Sequence, residues 1–397
     1  MNAVDADLAA LLERNQGLPG GFFTESDVFE RERQTIFPNT WVCIALSADV
    51  ATKGDVLPIN ILGQSLLLVR DGSELGVLHN VCSHRGSPLL ETPTSGRARI
   101  VCPYHSWAYK LNGDLVSTPH VGGAGQHTCE AIQGRQLGLR RVRSAEWAGH
   151  IFINLSGSAP NFDEWIRPVA ERFSQIDWSD LRRDHSFSLS LTVAANWKII
   201  VENFVESYHL PWIHKKLESV NPMAKHFQIL GGHSYLGQGG FAYEGEKATS
   251  SSLPRMPSLA DGTRYEALAV FPNLILAPLA DMTFSIIILP ESADRTRERV
   301  EFFFVGDKAL DETYAVDRER SVRFITDVNA EDVAIVEAVQ RGRHSSAFTG
   351  GFFSGAQEAT SLQFQKIVAC HLLAAGRRRP EDLTPLPTQD IEHSSGQ

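Results

Sequence analysis

An α+β fold in two unequal parts is what this sequence predicts, and three observations predict it. Short β-rich runs punctuated by Gly, Asp-Gly, Asn-Gly and Pro fill residues 41–155. Helix-patterned segments flank that block at 1–36 and 162–176. Longer apolar strand runs and two more helical patterns follow it. The 397 residues allow two or three domains.

Taken in order, Leu8, Leu11 and Leu12 form an apolar helical stripe, and Ser26-Asp27 offers a cap for a helix through 29–36. Strands are expected at 55–62, 65–70, 76–80, 99–102, 139–144 and 151–155. A helix at 162–176 and a strand at 187–194 come next, then a helix over 197–210 that Pro211 ends or kinks. Strands at 265–271, 274–277, 283–289 and 299–305 follow, with a tight turn at 279–282. Two closing helices are read at 311–328 and 330–341. The domain plan is an N-terminal helical segment 1–40 packed on the larger domain, a β domain 41–155, a larger α+β domain 156–375 and a flexible tail 376–397.

Composition excludes several classes. The net charge of −10 repels a polyanion, and Arg377-Arg378-Arg379 is the sole basic run, so no nucleic acid partner is expected. Apolar stretches such as 284–289 are far below the ~20 residues of a membrane span. The acidic start, residues 1–13, does not read as a signal peptide, and the expectation is a cytoplasmic protein. Five cysteines, an odd number, argue against a disulfide framework, whereas 14 histidines invite a search for metal sites.

The first cluster is Cys82-Ser83-His84-Arg85-Gly86 and Cys102-Pro103-Tyr104-His105-Ser106-Trp107, a C-x-H, 17 residues, then C-x-x-H. Two thiolates and two imidazoles suit either tetrahedral zinc or a [2Fe–2S] cluster with both histidines on one iron. Zinc sites favour like ligands on one knuckle, whereas here each loop offers one Cys and one His, which favours iron–sulfur. Any one of these residues alone would read as core packing. The pattern resembles a Rieske [2Fe–2S] domain, with Arg85-Gly86, Tyr104 and Trp107 extending the match. Ser106 departs from it, since the family usually has Gly there.

The second cluster lies in Glu202-Asn203-Phe204-Val205-Glu206-Ser207-Tyr208-His209-Leu210-Pro211-Trp212-Ile213-His214. On one helix, Glu202, Glu206 and His209 would share a face, and a break at Pro211 would let His214 fold back. Two histidines and a later carboxylate suit a non-haem Fe(II) site with open positions. Standing alone, the segment reads better as solvated helix charges and a satisfied core histidine. Together the clusters resemble the oxygenase component (alpha subunit) of the Rieske non-haem iron oxygenases.

That resemblance implies an all-β Rieske domain plus a catalytic domain with a curved antiparallel sheet and helices, a helix-grip arrangement. It implies His209 and His214 as iron ligands, Asn203 in support and Glu206 as the carboxylate bridging to a cluster histidine of the next subunit. Many ring-hydroxylating members carry Asp at that place, and Glu206 is shared with some monooxygenases and demethylases. The third ligand is expected at Asp332, with Glu331 as the fallback and a helix-capping role for Asp332 as the plain alternative. Further implications are a homotrimer, because the two metals of one subunit are too far apart, and an NAD(P)H-dependent flavin/iron–sulfur reductase, with or without a ferredoxin.

Candidate pocket residues are Trp212, Tyr235, Phe241, Phe271, Phe284 and Phe302–Phe304, which suit a planar aromatic or, through cation–π contact, a quaternary ammonium. The expected activity is mono-oxygenation, by hydroxylation or oxidative demethylation, of a small organic substrate. An aromatic-ring dihydroxylating dioxygenase is the first alternative. A Rieske electron carrier and a zinc-stapled binding module are alternatives of other classes. Cys43, Cys129, Cys370 and the other histidines read as structural or surface residues.

Overall fold

Turn chemistry and short, largely buried strands build the smaller unit, in a computed structural model that describes Leu8, Leu11 and residues 16–241, 251–259, 264–373 and 391–392. The residues from Cys43 to Ala159 form one compact unit, and the described residues on either side form the other. The unit ends four residues later than expected because Ala159 is tied back: Asn154 Oδ1 accepts its N–H at 3.1 Å, and Arg143 donates to its carbonyl.

In the smaller unit β1 (Val42–Leu46), β2 (Val56–Ile61), β3 (Gln64–Asp71), β4 (Glu74–His79), β8 (Arg141–Trp147) and β9 (His150–Asn154) form a sheet in the order β1-β9-β8-β4-β3-β2. The short strands β5 (Ile100–Val101), β6 (Ala108–Tyr109) and β7 (Leu115–Ser117) make a second, three-stranded sheet. A core of Val56, Leu67, Val69, Leu78, Ile100, Trp107 and Tyr109 also encloses Cys82 and Cys102. Strands β1, β6 and β7 were not expected. The first is buried at every position and shows no alternation, and the other two are too short for a pattern.

The larger unit is a nine-stranded antiparallel sheet with helices packed against it. Its strands are β10 (Leu181–Arg183), β11 (Leu189–Val193), β12 (His226–Gly231), β13 (Tyr235–Phe241), β14 (Arg264–Val270), β15 (Leu274–Pro278), β16 (Met282–Ser292), β17 (Arg295–Val305) and β18 (Ile391–Glu392). The order is β10-β17-β16-β15-β14-β13-β12-β18, with β11 also paired to β17. Of the expected tail, 376–397, only residues 391–392 are described, and they pair with β12; the rest lies outside the described residues. Leu12 of the expected N-terminal stripe is likewise outside them.

Besides a single helical turn at Gly21–Thr24, the described helices are α1 (Ser26–Thr35), α2 (Phe162–Arg172), α3 (Trp197–Phe204), α4 (Leu210–Ile213), α5 (Lys215–Val220), α6 (Ala315–Arg343) and α7 (Ala359–Leu373). Three expectations are corrected here. The cap of α1 is Glu25 rather than Ser26-Asp27, and its side chain makes no capping bond. The two closing helices are one, because 328–330 contains neither Gly nor Pro to interrupt the backbone ladder. The helix over 197–210 stops at Phe204, and Pro211 begins α4 rather than ending α3, in the first-turn place where its missing N–H costs nothing. Helix α7 was missed because nearly every residue from Thr360 to Leu372 is buried, which erases the amphipathic period. No helix among the described residues is long and apolar enough to cross a membrane.

Under α3 lies a buried polar layer. Lys198 Nζ meets Glu32 Oε1 at 2.5 Å with both side chains fully buried, and Trp197 Nε1 donates to the other Glu32 oxygen at 2.9 Å. Trp197 packs edge-on against Phe37 and Phe364 at 5.2 and 5.6 Å. Burial opposes both charges, raising the Glu32 carboxyl and lowering the Lys198 ammonium, while their mutual attraction opposes the shifts. Lys198→Met is expected to strand the Glu32 charge and cost about 3–5 kcal/mol, most of which Lys198→Met with Glu32→Leu recovers. Thermal unfolding of the three proteins checks this ordering, and equal midpoints for single and double variants would refute it.

Candidate metal centres

The two cysteine–histidine loops of the smaller unit are closed by the same pair of backbone hydrogen bonds. Cys82 N–H donates to Ser87 O at 2.8 Å and Gly86 N–H to Cys82 O at 3.0 Å. Cys102 N–H donates to Trp107 O at 2.8 Å and Ser106 N–H to Cys102 O at 3.1 Å. Gly86 and Ser106 therefore occupy equivalent places, both left-handed, with φ of 77° and 57°. Glycine takes that conformation freely, whereas serine there costs roughly 1–2 kcal/mol. The missing family glycine thus leaves the loop shape unchanged.

Both thiols are buried, and the histidines lie nearer the surface, His84 exposed and His105 half-buried. The His84 ring stacks on Trp107 at 4.6 Å and 8°, and lies edge-on to His105 at 4.7 Å. Burial, then His105 and Arg85, hold His84 below its ordinary value, so it is neutral and free to ligate. The Nδ1 atom of His105 is buried and has no hydrogen-bond partner, an orphan that a metal would satisfy. Tyr109, which the sequence reading passed over, sets its hydroxyl 3.2 Å from Cys82 Sγ and 3.0 Å from Ser83 Oγ. Burial and Cys82 push this phenol up, so it stays protonated and can donate to the sulfur.

Zinc and a two-iron cluster are distinguishable here. Ligand bonds of about 2.0–2.3 Å bring any two atoms on one zinc within about 4–4.6 Å of each other. Among the described residues, the only group of three or more with all ligand atoms within 4.8 Å is His209, His214 and Asp332. Cys82, His84, Cys102 and His105 do not close on one point, as a single ion requires and a two-iron cluster does not.

That second group assembles from three elements. Beyond α3 the chain turns through Val205 to Tyr208, so Glu202, Glu206 and His209 do not share one helix as expected. Instead Glu206 caps the next turn, accepting the backbone N–H groups of Tyr208 and His209. His209 sits at the start of α4 and His214 at its end, and their rings lie 5.0 Å apart. Asp332 hangs from the middle of α6, so the capping role for it is excluded.

Three nitrogens converge on one Asp332 oxygen. Oδ1 lies 2.9 Å from His214 Nε2, 3.5 Å from His209 Nε2 and 2.7 Å from Asn203 Nδ2. Behind the rings, Glu206 Oε1 is 2.5 Å from His209 Nδ1 and Glu331 Oε2 is 2.7 Å from His214 Nδ1. Glu331 therefore lies behind a histidine rather than at the convergence point. Burial alone would depress His214, but hydrogen bonds and charges from Asp332 and Glu331 outweigh it and raise its imidazole.

The face of α6 that carries Asp332 is bound along its length. Asn329 Nδ2 donates to Glu298 at 3.2 Å, Glu337 accepts Ala194 N–H at 2.9 Å, Gln340 accepts Asn196 N–H at 3.0 Å and Arg343 pairs with Glu202 at 2.7 Å.

Of the aromatic candidates, Phe302 and Phe304 alternate on β17 with Thr296, whose hydroxyl reaches Ala195 O, so they face the helices. Phe284 pairs with Phe302 and shares that face; Phe303 points away. Phe271 packs into the core against Trp197, Phe364 and His371, Tyr235 is buried against Gly231, and Phe241 is partly exposed beside Phe227. Trp212 is 73% exposed. The five cysteines, Cys43, Cys129 and Cys370 included, form no disulfide.

The same division appears in comparisons with known proteins. Residues 40–130 match the family described as Rieske [2Fe-2S] domain, and 178–374 match the ring hydroxylating alpha subunit, catalytic domain. The carnitine monooxygenase oxygenase subunit of Escherichia coli K12 is 28% identical over 341 residues, covering 84% of this chain and 86% of its own. A quaternary ammonium Rieske monooxygenase, solved for carnitine oxidation and inter-subunit electron transfer, superposes with a TM-score of 0.75 at 26% identity, covering 90% of this chain and 95% of its own. Naphthalene 1,2-dioxygenase from Rhodococcus sp. has the same fold, with a TM-score of 0.76 at 18% identity over 95% of this chain and all of its own. With a [2Fe–2S] domain and a catalytic domain of the mononuclear-iron type in one chain, this protein belongs to the Rieske oxygenases, in their ring-hydroxylating alpha-subunit family.

Proposed function

We propose that this chain is a terminal oxygenase that mono-oxygenates a small quaternary ammonium compound, using O2 and electrons drawn from NAD(P)H by a flavin/iron–sulfur reductase. The observation that carries the reading is the group His209, His214 and Asp332, whose ligand atoms all lie within 4.8 Å of one another. Two histidines and one carboxylate on one side of a metal leave positions open for dioxygen and substrate. In this reading Cys82, Cys102, His84 and His105 hold the [2Fe–2S] cluster, a role that the orphaned His105 Nδ1 supports. When bound, the two centres supply one-electron transfer and dioxygen activation.

The protein side chains do the rest. Glu206 accepts the Nδ1 proton of His209 and Glu331 that of His214, which fixes both tautomers and directs each Nε2 toward Asp332. Asn203 donates to Asp332 Oδ1 and sets the angle of that carboxylate. Glu206 is also the relay to a cluster histidine of the neighbouring copy in a head-to-tail homotrimer. The inter-subunit electron transfer for which one relative was solved supports this.

The substrate class rests on the carnitine-oxidising relatives. Hydroxylation uses O2 with an electron pair and a proton pair; one oxygen enters the C–H bond and the other leaves as water. On a carbon bonded to quaternary nitrogen the new C–OH collapses: the C–N bond breaks, its electron pair leaves with the amine and a carbonyl forms. Product analysis after turnover of carnitine, glycine betaine, choline and naphthalene with NADH and a reductase tests this. Tertiary amine or formaldehyde supports the proposal, and a ring diol alone overturns it.

Purified protein is expected to hold about three irons and about two sulfides per chain, two irons in the cluster and one beside it. Asp332→Ala is expected to lose the single iron while keeping the sulfide, and loss of the cluster instead would refute the assignment. Glu206→Gln is expected to keep all metal and normal cluster reduction but lower turnover about 10- to 100-fold. Unchanged steady-state turnover in that variant sinks the relay.

A further inference from the structure

Both histidines of the mononuclear site are carried on helices too short to stand alone. His209 precedes α4, a helix of four residues, and His214 lies between α4 and α5, a helix of six. Isolated helices shorter than about 12 residues are marginal in water, so this stretch must be held from outside. It leaves α3 after Phe204 and ends at Asn221, the residue that closes α5. One run of side chains on the sheet joins those two ends.

The run starts at a backbone carbonyl, which fixes its polarity. Phe204 O accepts from Gln238 Nε2 at 2.8 Å, so the other amide atom, Oε1, can only accept. His226 Nδ1, 3.0 Å from that oxygen, therefore carries the proton. Burial lowers His226 against the pull of Gln238, which leaves Nε2 bare, 3.3 Å from the Tyr265 hydroxyl. Burial also pushes that phenol up, so Tyr265 donates to His226, and its oxygen accepts from Asn221 Nδ2 at 2.5 Å. Every link has one donor and one acceptor.

The sheet is shaped to seat this run. His226, Gly240 and Tyr265 are paired side by side across β12, β13 and β14, and Gln238 shares their face two residues along β13. A Cβ on Gly240 would lie 2.7 Å from the Tyr265 ring and 2.9 Å from its hydroxyl, so glycine is what lets Tyr265 cross β13 to His226. While α6 supplies the carboxylates that face the histidines, the sheet holds the chain on which they ride.

We infer that Gln238, His226, Tyr265 and Asn221 are positioning residues: they clamp residues 205–220 at both ends, so that His209 and His214 keep their mutual placement before a metal arrives. This rests on the assignment of both histidines, with Asp332, to iron. A preset pair binds metal without the entropy loss of ordering its segment, and that difference appears as affinity.

The test is cobalt(II) binding, by equilibrium dialysis with metal analysis, to enzyme stripped of its single iron with the cluster left in place. Gln238→Met keeps the volume and removes both of its bonds; Tyr265→Phe keeps the ring and removes the middle link. Each is expected to bind cobalt about 10- to 100-fold more weakly than wild type, with cluster spectrum and sulfide content unchanged. Either change severs the same run, so the double variant is expected to bind no more weakly than Gln238→Met alone. The EPR signal of the bound cobalt is expected to broaden in all three, which a loss of stability by itself does not cause. Wild-type affinity and signal in Gln238→Met overturn the clamp even where its melting temperature falls, and losses that multiply in the double variant overturn its action as one unit. Wild type that takes up no cobalt overturns the iron assignment, and the clamp with it.

Discussion

Everything at the mononuclear site depends on one carboxylate oxygen. Asp332 Oδ1 receives His214, His209 and Asn203, residues that lie 118, 123 and 129 positions away in the chain. No local propensity brings these together; α6 must present its middle to the bend between α3 and α4. Around that point gather Glu206, Glu331 and Asp332, an excess of carboxylates over the two imidazoles. Such a cage is poorly stable without a positive centre, and a divalent cation is what its donor chemistry accepts. The carboxylates behind the rings matter as much as those in front, because they decide which ring nitrogen is left for metal.

The bend that carries the histidines stands on a buried ionic layer. Lys198, Glu32, Glu202 and Arg343 grip α3 from beneath, and Gln365 Nε2 adds a bond to Glu202 at 2.8 Å. Replacing such pairs with well-packed apolar side chains often leaves stability unharmed, so their value lies in orientation. Charged pairs admit one rotational setting of the helix, whereas an apolar layer tolerates several. At a site whose histidines must meet an aspartate from elsewhere, rotation matters more than raw stability.

How much was legible in the sequence depended on how local each signal is. The two cysteine–histidine loops could be read directly, because their ligands lie within 24 residues and their turns are written in Gly86 and Pro103. His209 and His214 were also legible, yet the helix drawn through His209 was wrong. Pro211 reads as a breaker by rule, but here it opens α4, and the bend occurs at Val205, which carries no turn signal. Asp332 was named from resemblance alone, since an aspartate in a charged helical segment has no distinguishing spacing. The roles of Glu331 and Tyr109 were invisible, because each depends on a partner brought near only by folding. Strands β12 and β13 were passed over because Gly237, Gly239 and Gly240 break the β pattern where aromatic rings and a neighbouring carbonyl crowd in.

The bound face of α6 has a consequence for how the chain can vary in length. Asn329, Asp332, Glu337, Gln340 and Arg343 act together like the cuts of a key, each meeting a separate fixed feature. One residue inserted between Asp332 and Glu337 would turn every later cut by about 100° and advance it about 1.5 Å. The lock would then hold either the metal end or the Arg343 end, never both. Insertions and deletions are therefore admissible in the turns, while this stretch of helix behaves as a ruler of set length.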